Sequence, residues 1–292
     1  MAWNTYRSPS VSEEAQTRAH HHRHLAGDAA GGLVISTDRP PDGSCRACLV
    51  IVPPFGVERD QLRALGRYLA RRGIAAVRAD LRHHVGTSSG GIYDFTLGGV
   101  VADIDLLATW ARQTWARYPR GILAGSLTFR ALLRFLSHAP GCGGFAFASG
   151  IVPVVDIRAA ITAATGMDPF SPQMAGLTSA EMLGIRVSSR FRQDALAAGL
   201  ADPAAAWAEL RGLRLPTVLF AGEHDPWVNV HDLRAATAAQ QHRVVTMEGA
   251  GHWPTHSPTV TVRLVSELAT AVLDALAPGV QAAGQQGLEL PH

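Results

Sequence analysis

Cysteine is scarce in this chain of 292 residues, which contains only Cys45, Cys48 and Cys142. Three cysteines are too few for a disulfide-stabilised scaffold. Cys45 and Cys48 form a lone C-x-x-C pair, with no second pair to complete a zinc site. The pair precedes an apolar strand, whereas a redox pair is expected at a helix N-terminus that stabilises the thiolate. We therefore predict a structural role for these cysteines, and no metal or cofactor.

Long hydrophobic runs and an excess of one charge are also missing. No apolar stretch approaches the roughly 20 residues of a membrane-spanning helix, and residues 1–16 lack the order of charged and apolar residues found in a signal peptide. The 26 basic and 24 acidic residues leave a net charge of +2 without a long basic run. The sequence therefore predicts a cytoplasmic protein with no membrane span and no nucleic-acid partner. Its oligomeric state stays open.

Short apolar segments alternate with helical patterns through much of the chain. The segments 47–52, 74–80, 121–124 and 215–221 have the composition of strands buried between helices. Alternation of this kind predicts an α/β fold with a mostly parallel, doubly wound sheet. The strands stop between residues 151 and 213, where alanine-rich stretches predict a helical insertion above the strand ends.

These patterns divide the chain into five parts. We predict flexible ends at 1–16 and 278–292, a core in two pieces at 17–150 and 214–277, and a helical lid at 151–213. The histidine-rich tract at 20–24 fits a solvated edge strand, with metal binding as the alternative.

The segment 121–133 has the pattern of a strand, a sharp turn and a helix, with Ser126 at the junction. This is the arrangement of a nucleophile elbow, G-x-S-x-G, in which the residues two before and two after the serine are small. Ala124 meets that requirement, but Thr128 is larger than glycine. The alternative is that Ser126 caps the following helix.

Two further residues complete a pattern with Ser126. Asp225 and His252 each fall just after a later apolar strand. The order serine, acid, histidine, each beyond a strand, is the order of the α/β-hydrolase fold. Because the carboxyl ends of parallel strands meet at one edge of a sheet, we expect the three side chains to converge there.

The chain resembles the α/β-hydrolase superfamily and, more narrowly, the acyl transferases of bacterial luminescence, which release a fatty acid from acyl carrier protein as thioesterases. The resemblance lies in DLRHHVGTSSGGIYDFTLG at 80–98, AGSL before a small hydroxyl residue, D-x-W-V at 225–228 and GMDPF in the lid, and it extends from about Cys48 to Leu276. Pro53 and Pro54 depart from the small residues usual in the family.

The resemblance and chemical need together suggest roles for single residues. Ser126 is the expected nucleophile, His252 its general base and Asp225 the group that orients the imidazole. The backbone N–H groups of Leu127 and Phe55 are the expected oxyanion donors. Pro54 has no N–H, and Gly56 is the fallback.

Several polar residues near these segments have competing roles. His83 and His84 are either catalytic or hold backbone groups by hydrogen bonds. We expect Asp80 to fix its loop, Asp94 to cap the next helix and Trp227 to pack beside the acid. Three other histidines compete less well for a catalytic role, because only His252 matches the family position: His224, His231 and His256. Ser88 and Ser89 are expected to cap their loop.

The expected function is that of a serine thioesterase or acyltransferase acting on acyl thioesters, with acyl carrier protein as the expected partner. A carboxylester hydrolase, a hydrolase or cyclase of secondary metabolism, and a non-catalytic ligand-binding protein are the alternatives. Apolar residues of the lid either line an acyl pocket or pack a small core of their own. The sequence does not decide between these two readings.

Overall fold

The computed structural model describes residues 20–26, 32–238 and 242–277, and only the backbone of the first of these ranges. The predicted flexible ends, 1–16 and 278–292, lie outside the described residues. Ten strands are present within the described ranges: β1 His20–Ala26, β2 Leu33–Arg39, β3 Ala47–Val52, β4 Ile74–Asp80, β5 Arg120–Gly125, β6 Phe147–Ile151, β7 Ser179–Met182, β8 Ile185–Ser188, β9 Thr217–Gly222 and β10 His242–Met247.

Eight α-helices connect the strands of the described ranges. In chain order they are α1 Arg63–Arg71, α2 Leu97–Thr114, α3 Thr128–His138, α4 Ile157–Thr165, α5 Arg190–Ala197, α6 Pro203–Gly212, α7 Val230–Thr237 and α8 Pro258–Leu276. Polar residues supply the caps that several helix N-termini need: Asp156, Asp202, Asn229 and Ser257 accept backbone N–H bonds from the first turns of α4, α6, α7 and α8.

An eight-stranded sheet in the order β1-β2-β4-β3-β5-β6-β9-β10 forms the centre of the molecule. Neighbouring strands pair in parallel along the part of this sheet made of β4, β3, β5, β6, β9 and β10, whereas β2 runs antiparallel to both β1 and β4. The histidine-rich tract is β1, at the edge of the sheet. The predicted α/β class and mostly parallel, doubly wound sheet are confirmed.

Strand β3 shows why the segment 47–52 is apolar at every position. Its alternate residues point to opposite faces of the sheet, so Cys48, Val50 and Val52 enter one hydrophobic core. Ala47, Leu49 and Ile51 enter the other, which packs under α1 and α8. Both faces are therefore covered, as expected of a parallel sheet between helices.

The segment between β6 and β9 holds α4, α5 and α6, as its alanine-rich stretches predicted, but also a hairpin. Strands β7 and β8 pair antiparallel as a separate two-stranded sheet. Their turn places Leu183 and Gly184 at φ values of 51° and 77°. The hairpin was not predicted, because leucine in place of asparagine or aspartate gives no hairpin-turn signal.

None of the helices within the described ranges combines the length and the apolar composition needed to cross a bilayer.

Candidate active site

Ser126 occupies a sharp turn between β5 and α3. Its φ of 49° lies in the left-handed region that a residue with a side chain rarely adopts. Backbone hydrogen bonds hold it there, since its N–H donates to Ile151 O at 2.9 Å and its carbonyl accepts from Phe129 N at 3.1 Å and Val154 N at 3.2 Å. The N-cap position of α3 is occupied by Leu127, and no side chain caps the helix. Ser126 Oγ does not cap α3, so the capping alternative is wrong.

The three residues expected to converge are in contact. Ser126 Oγ lies 2.7 Å from His252 Nε2, and His252 Nδ1 lies 2.8 Å from Asp225 Oδ2. Asp225 is held in turn by the backbone N–H groups of Trp227 and Val228, which donate to its Oδ1 at 2.9 and 3.2 Å. The His252 and Asp225 side chains are almost fully buried.

This contact pattern fixes the tautomer of a neutral His252. A carboxylate beside Nδ1 favours the proton on that nitrogen, which leaves Nε2 free to accept from the Ser126 hydroxyl. The same arrangement stabilises the imidazolium that forms when the histidine takes the serine proton. The site can therefore deprotonate an alcohol at the moment it attacks an electrophilic carbon.

The loop carrying His252 lies directly against the end of β9. A Cβ atom added to Gly222 would meet Gly251 O at 2.4 Å and Ala250 O at 2.5 Å, distances that real Cβ atoms do not show. The two loops that carry Asp225 and His252 can approach each other only because position 222 has no side chain.

Phe55 and Leu127, the expected oxyanion donors, line the same small cavity as Ser126. Within the described residues no hydrogen bond takes the backbone N–H of either. The N–H of Gly56 is instead donated to His84 Nε2 at 2.9 Å. The fallback donor is thus already engaged, and Phe55 stays the candidate on this loop.

Thr128, which departs from the G-x-S-x-G pattern, is completely buried behind the turn. Its Oγ1 lies 3.0 Å from Pro53 O and 2.8 Å from Gly125 O, so one hydroxyl proton is shared between the two carbonyls. The threonine therefore ties α3 to the loop after β3, a contact that no sequence pattern indicated.

The loop between β4 and α2 is fixed through Asp80, as expected. The carboxylate of Asp80 accepts from the backbone N–H of Thr87 at 2.9 Å and pairs with the buried guanidinium of Arg59. Ser88 Oγ donates to Asp80 O at 2.7 Å. The expectation for Asp94 was wrong, because helix α2 is capped by Thr96, whose Oγ1 accepts from Gly99 N.

The remaining histidines differ from His252 in position. The side chain of His224 is 71% exposed beside Glu223, while His231 lies on α7 and His256 in a 3₁₀ turn. His83 is exposed, whereas its neighbour His84 is buried and holds a backbone N–H. Of the two roles considered for His84, the hydrogen bond to backbone is therefore the one observed.

Trp227 packs its ring 4.2 Å from the His252 ring and also borders the cavity at Ser126. Cys45 and Cys48 are free thiols whose pKa values are raised by burial, which disfavours the reactive thiolate. No cluster of three potential metal ligands occurs among the residues the structure describes.

Two cavities are lined by residues of the insertion, the smaller one together with residues of the core. The one at Ser126 holds about 20 Å³, and its wall of Ile161, Thr165 and Met182 separates it from a second cavity of about 260 Å³. The larger cavity is mainly apolar, and three of the chain's five methionines line it: Met167, Met174 and Met182. The concentration of methionine in the insertion was a signal available in the sequence.

Comparison with known proteins places this chain in a family. A model of the acyl transferase family matches residues 39–265. The chain belongs to this acyl transferase family. The expected resemblance to the luminescence-type acyl transferases is thereby confirmed.

Acyl transferases of two bacteria illustrate the relationship. The one from Photorhabdus laumondii is 29% identical over 216 residues, which cover 70% of this chain and 66% of the relative. The one from Vibrio campbellii is 25% identical over 214 residues, which cover 72% of this chain and 68% of the relative. This acyl transferase family member therefore spans just under two thirds of the Photorhabdus protein's length.

Solved structures with the same fold are more distant in sequence. Est1E from Butyrivibrio proteoclasticus superimposes with a TM-score of 0.71 at 16% identity, covering 86% of this chain and 98% of its own. The Pyrococcus furiosus esterase Pf2001 superimposes with a TM-score of 0.63 at 14% identity, covering 92% and 98%. The family member has the α/β-hydrolase fold.

Proposed function

We propose that this protein is a serine-dependent thioesterase or acyltransferase that acts on acyl thioesters through an acyl-enzyme. One observation carries the proposal: Ser126, His252 and Asp225 form a continuous hydrogen-bonded chain that begins at an apolar cavity. A serine hydroxyl is a weak nucleophile at neutral pH, and the adjacent imidazole removes that limitation.

The first half-reaction forms a bond between Ser126 Oγ and the thioester carbonyl carbon. His252 Nε2 takes the hydroxyl proton, and the carbonyl electron pair moves onto oxygen. The N–H groups of Phe55 and Leu127 are the proposed donors to that oxyanion. When the tetrahedral intermediate collapses, the carbon–sulfur bond breaks and His252 returns the proton to the departing thiolate. The products are an ester on Ser126 and a free thiol.

The second half-reaction repeats these steps with an acceptor. Water or another hydroxyl, thiol or amine gives its proton to His252 as it attacks the acyl carbon. Ser126 leaves as the protonated alcohol, and the site returns to its starting state. Asp225 stays ionised throughout and orients the ring.

The acyl chain is proposed to lie in the cavity of about 260 Å³ beyond Met182. The cavity beside Ser126, at about 20 Å³, has room for roughly one water molecule, so a longer chain must extend past the wall between the two. Flexible methionine side chains suit a wall that rearranges around a variable apolar group. The proposed carrier of the acyl thioester is acyl carrier protein.

The test compares wild-type protein with Ser126→Ala on matched substrates of one fatty acid: the acyl carrier protein thioester, the coenzyme A thioester and a simple ester. Ser137→Ala is the control, because Ser137 is exposed on α3, the helix that follows Ser126. We expect Ser126→Ala to lower kcat/KM by at least about 10⁴-fold with an unchanged melting temperature. Ser137→Ala should match wild type.

Each substrate addresses a different part of the proposal. A higher kcat/KM for the thioesters than for the simple ester supports thioester chemistry, and the reverse order indicates an ester hydrolase. Labelling of Ser126 by a fluorophosphonate probe is expected in wild-type protein. Folded wild-type protein that neither turns over any of the three substrates nor labels would instead be a ligand-binding member of the fold.

A further inference from the structure

The loop that follows β3 carries Phe55, the proposed oxyanion donor, between two fixed points. On one side Pro53 O is held by Thr128 Oγ1. On the other side Gly56, at a φ of 77°, donates its N–H to His84 Nε2 at 2.9 Å. Pro54 fixes the chain immediately before Phe55, because the proline ring locks its φ. The orientation of the Phe55 amide thus depends on what anchors the two ends.

His84 is placed to act as the second anchor. It is 4% exposed, and its ring packs against Phe55 and Phe95 with centroid separations of 5.9 and 5.5 Å. It reaches Gly56 from a loop 28 residues further along the chain. That loop is itself held by Asp80, through its bonds to Thr87 and Ser88.

The bond from Gly56 also specifies the proton on His84. A ring nitrogen that accepts an N–H bond carries no proton of its own, so a neutral His84 must carry its proton on Nδ1. Nδ1 has no hydrogen-bond partner within the described ranges. Burial lowers the pKa of His84 to about 4, against an opposing effect of Asp80, so the ring is neutral and able to accept at physiological pH.

We infer that His84 is a positioning residue for the oxyanion site: by accepting the Gly56 N–H it fixes the Phe55–Gly56 segment, so that the Phe55 N–H stays directed at the developing oxyanion. The inference rests on the proposed function. His84 transfers no proton and touches no reacting atom. Its effect is expected in the transition state rather than in binding, because the oxyanion exists only there.

The experiment uses two substitutions at His84 and one at its neighbour. His84→Phe keeps an aromatic ring against Phe55 and Phe95 but removes the acceptor, while His84→Gln keeps an acceptor oxygen. His83→Asn is the control, since His83 is exposed and asparagine tolerates its φ of 50°. For each variant, kcat and KM are measured with an acyl thioester, together with the inhibition constant of an alkyl trifluoromethyl ketone that forms a tetrahedral adduct on serine.

Deleting one oxyanion donor costs about 10²–10³-fold in kcat, so misaligning one should cost less. We expect His84→Phe to lower kcat by about 10–100-fold, to leave KM within about threefold, and to weaken the ketone by the same factor as kcat/KM. His84→Gln should recover most of the loss, and His83→Asn should match wild type. A folded His84→Phe protein with wild-type kcat and ketone affinity would overturn the inference.

Two further measurements keep the outcomes separate. If His84→Phe does not fold, ¹⁵N NMR of histidine-labelled wild-type protein decides: an unprotonated Nε2 at His84 supports the inference, and a proton on Nε2 rejects it. Ser126→Ala is run in the same assay. Wild-type protein no faster than Ser126→Ala would refute the proposed function, whereas active wild-type protein with an equally active His84→Phe would refute only the role of His84.

Discussion

The sheet and the insertion above it stabilise themselves in different ways. In the sheet, charged groups are buried in pairs, such as Arg78 with Asp38, which are 0% and 1% exposed. In the insertion, the Arg158–Asp168 pair is 40% and 34% exposed. Of the six large apolar side chains that are exposed within the described residues, four belong to the insertion: Met167, Leu177, Leu183 and Leu196.

This contrast separates two tasks that one active site must perform. The side chains proposed for chemistry lie on turns at the ends of buried strands, where close packing limits their movement. The walls proposed to contact the acyl group are methionine-rich and partly exposed, and such segments rearrange at low cost. Precise geometry and adaptable binding are therefore assigned to different parts of the chain. Substitutions in the two parts of the chain test that separation.

Asp225→Asn should have the largest effect, and only on catalysis. The amide no longer favours the His252 tautomer with its proton on Nδ1, so Nε2 becomes a poor acceptor for the Ser126 proton. We expect kcat to fall by about 10⁴-fold with a melting temperature within a few degrees of wild type. Asp232→Asn, at an exposed position on α7, is the control. An Asp225→Asn enzyme with more than a tenth of wild-type kcat would contradict the proposed role.

Glu209→Gln should have the largest effect on stability. Glu209, on α6, pairs with Arg130 and Arg134 on α3, and the Arg130 side chain is completely buried. Removing the carboxylate leaves a buried guanidinium unpaired, at a cost of about 3 kcal/mol in the free energy of unfolding.

Urea denaturation measures that cost against an exposed pair, Arg158 with Asp168, that lies wholly within the insertion. Asp168→Asn breaks the exposed Arg158 pair and should change the free energy of unfolding by less than about 1 kcal/mol. Equal effects of the two substitutions would show that the buried pair between α3 and the insertion contributes no more to stability than the exposed pair inside the insertion.

The parts of the structure that follow from local patterns were predictable. The segment 47–52 is apolar at every position because both faces of β3 are buried, and its bounds were predicted as observed. Ser126, Asp225 and His252 each follow such a strand, so the topology alone brings them to one edge of the sheet. Their contact needed no knowledge of side-chain packing.

The features that escaped prediction depend on contacts between distant residues or on short segments. Strands β7 and β8 have four residues each, too few for a reliable alternation, and their turn begins with Leu183. His84 meets Gly56 across 28 residues, and Thr128 meets Pro53 across 75. Asp94 is two residues upstream of the observed cap Thr96. Which of the two caps α2 depends on the residue at which the helix begins, and a local pattern does not fix that residue.

His84 should make stability depend on pH. Its pKa is about 4 in the folded protein and about 6.5 when exposed, so the unfolded state binds a proton more readily between these values. The stability from neutral His84 is therefore complete above about pH 6.5 and decreases as the pH falls towards 4, with a loss of about 2 kcal/mol by pH 5.

This pH effect is measured by urea unfolding of wild-type protein and His84→Phe at pH 7.5 and pH 5. The difference in free energy of unfolding between them should shift by about 2 kcal/mol in favour of the variant at the lower pH. All other side chains are the same in both proteins, so the difference isolates His84. For His83→Asn, at an exposed site, the free energy of unfolding should change with pH as it does in wild-type protein. If the free energy of unfolding of His84→Phe changes with pH as it does in wild-type protein, His84 is not held neutral.

Met182→Ala should have the smallest effect on kcat/KM of these substitutions, and the effect should appear as a shift in the preferred acyl-chain length. Met182 is 3% exposed and stands in the wall between the cavity at Ser126 and the larger cavity, so truncation opens one into the other. The preferred acyl chain should lengthen, because each extra buried methylene contributes about 0.8 kcal/mol, or about fourfold in kcat/KM. Met182→Trp should shorten it.

The chain-length profile is measured with a series of acyl thioesters from two to sixteen carbons. Leu196→Ala is the control, because Leu196 is an exposed apolar residue of the insertion that lines neither cavity. Opposite shifts for the two Met182 variants, with no shift for Leu196→Ala, place the acyl chain across this wall. Profiles that all coincide with wild type would remove the larger cavity from the site, and adaptable binding would then have to be sought on the sheet side of Ser126.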